Sequence, residues 1–131
     1  MIVLDAAVMS EEAERLKART MRFALAVCGL LKELPRDEPG PTVRRQLAKS
    51  STSVAFNFRA ACRGRSHAEY TAKIGLVSEE SDETLGWLEF IEAGKLIPKP
   101  LSDLVHEAKE LSAIFSASYG TARRRERGNA G

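Results

Sequence analysis

Apolar and small positions recur along this chain with the alternating four-and-three spacing of amphipathic helices, with no competing two-residue alternation of a half-buried strand. The first run is Leu16, Thr20, Phe23, Val27, Leu30 and Leu34. Ser10 is placed to cap it, Glu11, Glu12 and Glu14 suit its first-turn dipole, and Pro35 with the following Arg-Asp-Glu-Pro-Gly-Pro stops it. The second run is Val43, Leu47, Ser51, Val54, Phe58 and Cys62, with Pro41 at the first helical position and Gly64 as the stop. Ser66-His67-Ala68-Glu69 has capping-box spacing and opens a third run, Tyr70, Ile74, Val77, Ser81, Thr84, Leu88 and Ile91, closed by Gly94. Trp87 lies off this seam and is expected to cover a second contact. Pro98 and Pro100 precede a fourth run, Leu101, Leu104, Ala108, Leu111, Phe115 and Ser118, closed by Gly120.

These runs predict helices over about 10–34, 41–62, 66–94 and 100–120, after a short apolar arm at 1–9 and before a frayed polar tail at 121–131. Four helices joined by short turns predict an all-α fold: one domain over 1–131, an antiparallel up-down-up-down four-helix bundle. Small residues along the second helix (Ala48, Ser50, Ser51, Ser53, Ala55) allow another helix to approach closely.

Composition fits this picture. A chain of 131 residues, 44% hydrophobic and 29% charged, can bury a core without disulfide or metal support. Cys28 and Cys62 have no metal or redox spacing and sit inside helical patterns, so both are expected as small core residues of a reduced cytoplasmic protein. No apolar run is long enough for a membrane span, and Asp5 interrupts the apolar start where a signal peptide would need continuity.

Charge changes the picture more. Residues 42–73 carry seven Lys or Arg against one acid, and residues 74–94 carry six acids and no base. One reading is mutual neutralisation across the turn between helices two and three, with Arg44 and Arg45 beside Asp82 and Glu83, and Lys49 near Glu79 or Glu80. That pairing does not reach Arg59, Arg63, Arg65 and Lys73, which face only Glu69. Up-down topology brings Arg15, Lys17 and Arg19 and the tail residues Arg123, Arg124, Arg125 and Arg127 to the same end. The result is a basic pole suited to phosphate contact, without interleaved aromatics for reading bases.

Candidate chemistry is sparse. His67 and His106 are the only histidines, and the Asp103/His106 spacing alone does not make a metal site. No Glu-x-x-His pair, glycine-rich phosphate loop or nucleophile elbow is present, Ser66 reads as a helix cap, and the acids at 79–83 read as a solvated or paired face. The expectation is a protein that is not an enzyme, with no catalytic residue, no metal and no cofactor. Asn57 stands in an apolar stretch, where an amide needs a partner. It is expected to make a buried hydrogen bond to a neighbouring helix or subunit, with Ser53, Ser66 and Glu69 as further structural or register residues.

The stretch Gln46 to Tyr70, QLAKSSTSVAFNFRAACRGRSHAEY, resembles the central motif of the bacterial four-helix-bundle family that includes the 23S rRNA intervening sequence proteins. The likeness is carried by Gln46, Leu47, Ser53, Val54, Asn57, Phe58, Arg65, Ser66, Glu69 and Tyr70, then by Glu80, Asp82, Glu83, Thr84, Trp87, Leu88 and Glu89, and by the opening of the fourth helix. It spans about residues 16–123. The resemblance implies an antiparallel bundle that assembles as a ring-like homopentamer. A relative, the accessory variability determinant protein of diversity-generating retroelements, forms a basic pentameric barrel that binds a reverse transcriptase and nucleic acid. The matched basic positions here are Arg45, Arg63 and Arg65. Ala60 stands where many members have a glutamate, so whatever that carboxylate does is absent or replaced.

The expected function is therefore RNA or DNA binding through phosphates by Arg45, Arg59, Arg63, Arg65, Arg123, Arg124 and Arg125 in a cytoplasmic homo-oligomer that has no membrane partner. The alternative is a scaffold that docks a protein such as a reverse transcriptase.

Overall fold

The computed structural model describes the backbone of residues 2–130 and the side chains of residues 11–128. Four helices follow one another: α1 (Ile2–Leu30, continued by a 3-10 turn over Leu31–Glu33), α2 (Gly40–Ala61), α3 (His67–Gly94) and α4 (Ser102–Ala130). No strand occurs among the described residues, and the arrangement is consistent with a four-helix bundle.

The local chemistry sets most of these limits. A proline in the first turn of α2 supplies a pre-set φ where no amide donor is needed. Ser66 caps α3 by accepting from the Glu69 amide at 3.1 Å, and the Glu69 carboxylate accepts from the Arg65 amide at 2.9 Å. That return bond reaches one residue further out than the reciprocal capping box.

Five features differ from the sequence expectation. First, α1 starts at Ile2, so the backbone of Ser10 lies inside a helix and not at its start. The segment before it has no glycine or proline to stop propagation. Whether its side chains pack on the bundle lies outside the described residues. Second, α4 runs through Gly120 to Ala130, so 121–130 is helix and not a frayed tail. A single interior glycine costs only about 1 kcal/mol, and burial of Ala122 beyond it holds the helix together. Third, Cys28 and Cys62 are exposed. Each lies at the margin of its helix's apolar stripe, where period alone does not decide burial. Fourth, the left-handed residue that ends α3 is Lys95 (φ 50°, ψ 42°), with Gly94 still helical. Fifth, the α portion of the first helix stops at Leu30, and the 3-10 turn carries the chain on towards Leu34.

The core follows the predicted seams. Val27, Val43, Leu47, Val54, Ile74, Val77, Leu88, Leu111 and Phe115 are fully buried, and the rings of Phe58 and Phe115 meet at 5.2 Å. The α2–α3 and α3–α4 seams are extensive, whereas α1 leans on α2 and touches α4 lightly. Close approach has visible causes. A Cβ on Gly75 would stand 2.9 Å from the Tyr119 ring, so a larger residue at that point of the α3–α4 seam would force the ring to shift. Between α2 and α3 the fully buried hydroxyls of Ser50 and Thr84 lie 2.9 Å apart.

Lys95 tests the account of the α3 terminus. A side chain in the left-handed region carries strain that glycine lacks. Lys95→Gly is expected to raise the stability of the fold by about 0.5–1 kcal/mol, read by urea denaturation. A loss of stability would contradict this account.

Candidate nucleic-acid interface

Arg59 stands exposed in the last turn of α2, and Arg63 and Arg65 are exposed in the turn that follows. Three contacts show what surrounds them. His67 Nε2 lies 2.9 Å from the carbonyl oxygen of Ala122, which brings the start of α3 against the C-terminal part of α4. Tyr70, half-buried, has its hydroxyl pKa pushed up by desolvation, with Cys62 adding and the Arg125 cation opposing. Cys62 is exposed overall, yet neighbouring atoms desolvate its thiol and push its pKa up, with Lys17 of α1 opposing and Glu14 adding. The turn, the end of α4 and the early part of α1 therefore share one end of the molecule.

At this end α4 presents Arg123, Arg124 and Arg125, all exposed on continuous helix. The Arg123 guanidinium lies 5.7 Å from the centre of the Tyr119 ring, and Arg124 donates to Thr121 Oγ1 at 3.2 Å. A shallow depression of about 270 Å³ opens beside them, with His67, Tyr70, Thr121 and Arg125 among its lining. The expectation of a pole without aromatics is thus corrected: Tyr70, Tyr119 and His67 adjoin the arginines. The i,i+4 spacing of Tyr119 and Arg123 was readable, but only with the tail recognised as helix.

Not every base predicted for this pole is available there. Arg15 pairs with Glu12, and Lys17 pairs with Glu14 at 2.7 Å. Arg19 makes a forked pair with Glu107, Nε to Oε2 at 2.8 Å and Nη2 to Oε1 at 2.7 Å, and reaches Glu110 at 3.2 Å. These bonds raise the Arg19 pKa. The Arg19 hydrogen bonds also hold the Glu107 carboxyl below its usual range, against the opposing effect of partial burial. Arg45 is also elsewhere. It precedes Arg59 by fourteen positions of α2, about 21 Å along the axis at 1.5 Å per residue, and donates to Thr42 Oγ1 at 3.4 Å.

Among the described residues, the expected pairing of Arg44 and Arg45 with Asp82 and Glu83 does not form, whereas Lys49 does lie close enough to act on Glu80. Arg44 instead donates to the carbonyls of Leu31 (3.2 Å), Leu34 (3.3 Å) and Pro35 (3.3 Å), satisfying the end of the first helical segment. Among the described residues, Glu79, Glu80, Asp82 and Glu83 take part in no ion pair. Burial raises the Glu80 pKa, Glu83 and Glu79 add, and Lys49 opposes, while Glu80 Oε2 is buried without a hydrogen-bond partner. Asn57 does not bridge helices within the subunit. Its Nδ2 donates at 3.0 Å to the Ser53 carbonyl of its own helix, and both residues are half-buried. The buried polar contact that does cross between helices is Ser50–Thr84, which sequence reading missed because both residues read as small spacers.

Among the described residues no group of three His, Cys, Asp or Glu side chains is placed to hold a metal ion. His106 lies beside Glu110 at 2.7 Å. No described helix is long and apolar enough to cross a membrane.

The family model of the 23S rRNA-intervening sequence proteins matches residues 13–117. The chain belongs to this family. A solved structure from Bacteroides thetaiotaomicron, described as a protein of unknown function from the S23 ribosomal protein family, superposes with a TM-score of 0.69 at 22% identity. The match covers 79% of this chain and 96% of that one, a likeness that shows the fold alone. No curated protein matches the chain.

The Arg19–Glu107 pair gives a pH test. A carboxylate held low in the folded state contributes stability that is present above its unfolded pKa and lost as pH falls through the depressed folded value. Glu107→Gln is therefore expected to lower the melting temperature at pH 7, with the difference from the unaltered protein shrinking to nothing in acid. Melting curves from pH 7 to pH 3 check this, and a difference that grew in acid would contradict it.

Proposed function

We propose that this protein binds RNA through its phosphates at the basic pole, as a non-enzymatic homo-oligomer. The observation that carries this reading is the gathering of Arg63 and Arg65 in the turn with Arg123, Arg124 and Arg125 on α4, bound together by the His67–Ala122 contact. Arg59, in the last turn of α2, belongs to the same surface. These cations are exposed, and the α1 cations that share the pole are tied to acids. The electrostatic attraction of such a pole is independent of sequence. Tyr70, lining the depression, adds an aromatic surface on which an unpaired base can stack, which favours a folded RNA with exposed loops over a plain duplex. The name of the family points the same way.

The bundle itself is read as antiparallel, up-down-up-down. Four contacts support this: Arg44 with Leu31, Ser50 with Thr84, His67 with Ala122, and Arg19 with Glu107. The assembly is read as a ring, five subunits in the related proteins, in the cytoplasm and without a cofactor. A second reading, a scaffold that docks a protein such as a reverse transcriptase, is favoured by the exposed Phe56, Leu76 and Phe90.

Fluorescence anisotropy against structured RNA, duplex DNA and a single strand across a salt series separates the two. RNA binding is expected to weaken steeply with salt. Arg63→Ala/Arg65→Ala is expected to weaken it across all sequences and to flatten the logarithmic salt slope by about two. Arg45→Ala, set apart along α2, is expected to change it little. Absence of binding at low salt would overturn the nucleic-acid reading and leave the scaffold.

A further inference from the structure

Helix α3 is apolar on two sides. Its inner stripe is the core, but Leu76 (42% exposed) and Phe90 (46% exposed) face outward, and the Trp87 ring meets Phe90 edge-on at 5.6 Å. Between them on the same face stand Glu79 and Glu83, which are in no ion pair among the described residues. Large aromatic side chains flanked by unpaired acids describe a surface that a basic, apolar partner covers.

The outward strip of α1 has the matching chemistry. Leu25 is 66% exposed, and the exposed cations Arg22 and Lys32 lie on the same side of the helix. Each strip also holds a glycine at which a Cβ would meet nothing of the subunit within 4 Å, Gly29 in the last turn of α1 and Gly86 well inside α3. Glycine in mid-helix costs about 1 kcal/mol relative to alanine, and no contact inside this subunit requires it at Gly86.

The register of the two strips also agrees. In the up-down topology proposed above, α1 and α3 run the same way. Arg19 is level with Glu107, and Ala122 is level with His67. Counting along α4 then sets Leu25 level with Leu88, between Gly86 and Phe90. A closed ring whose axis follows the helices keeps that level from copy to copy. In a parallel pairing, Leu25 meets the gap at Gly86, Phe90 meets the gap at Gly29, and Arg22 meets Glu83.

We propose that the outward strip of α3, centred on Gly86, Trp87 and Phe90, is the seat for the Arg22–Leu25–Gly29 strip of α1 from a second copy of this chain. This rests on the homo-oligomer of the proposed function and names the surfaces that build it. Because α1 and α3 lie on different sides of the subunit, every copy gives one strip and receives the other, which makes the contact head-to-tail.

Sedimentation velocity over a range of protein concentrations tests this, with circular dichroism confirming that each variant stays helical. Gly86→Leu and Gly29→Leu fill the gaps and are expected to shift the assembly midpoint by about tenfold or more towards higher concentration. An added Cβ meets nothing within 4 Å at either position, and the dissociated subunits are expected to keep their helix content. Arg22→Glu and Glu83→Arg are each expected to weaken assembly, and the double variant to restore it. An assembled protein unmoved by all four variants would overturn the interface and leave the homo-oligomer standing. Single charge reversals that weaken assembly without rescue in the double variant would overturn the register. A subunit that stays single at every concentration would overturn both, while the RNA measurement would stand separately.

Discussion

The packing of α3 depends on burying hydroxyl groups without leaving any of them unsatisfied. Thr20, Thr71, Ser81 and Thr84 are all buried, and each donates to the carbonyl four residues earlier in its own helix, at 2.7–2.9 Å. A hydroxyl bonded in this way needs nothing from a neighbour, so it serves as a small side chain and lets two helices come close. Thr84, bonded in this way to the Glu80 carbonyl, lies 2.9 Å from the Ser50 hydroxyl of α2. Replacing such residues by leucine would push α2 away from α3 and take the flanking turn with it. The placement of Arg59, Arg63 and Arg65 is therefore a consequence of small buried polar groups some distance from them.

Charge is sorted by the same fold. Arg44 serves the carbonyls that end the first helical segment, and Arg19 is held by two carboxylates of α4. Both are cations that composition alone would assign to a binding surface. What remains exposed at the pole is a smaller and better defined set, drawn from one turn and the last part of one helix. The acids of α3 are sorted in the opposite sense. With Arg44 engaged elsewhere, Glu79 and Glu83 stand beside apolar side chains and, among the described residues, in no ion pair with a cation of their own subunit.

How much of this was legible in the sequence divides along physical lines. The seams of Leu47 and Val54, of Ile74 and Leu88, and of Leu111 and Phe115 follow from helical period, which is a local property. Helix α3 was also marked locally, by Ser66 and Glu69. Cys28 and Cys62 were misplaced because a residue at the edge of a stripe is buried or exposed according to its neighbour's side chain. Arg44 and Arg19 were misplaced because carbonyls left over at a helix end, and carboxylates on a helix nearly ninety residues away, have no mark in local pattern. The continuation of α4 past Gly120 was hidden by a polar, arginine-rich composition that reads as coil until Ala122 is seen to be buried. Asn57 was expected to reach a neighbouring helix or subunit, and within the subunit its Nδ2 instead donates to the nearer Ser53 carbonyl at 3.0 Å.

The unbroken α4 has a kinetic consequence. Arginines on a loose coil lose backbone freedom when a ligand fixes them, at about 1–2 kcal/mol for each residue ordered. Along α4 that loss has already been met when the chain folds. For the RNA binding proposed above, encounter at this pole would be rigid docking, steered by the long-range field and not slowed by coupled folding. Complexes formed in this way assemble quickly, and differences in their strength reside in how long they last.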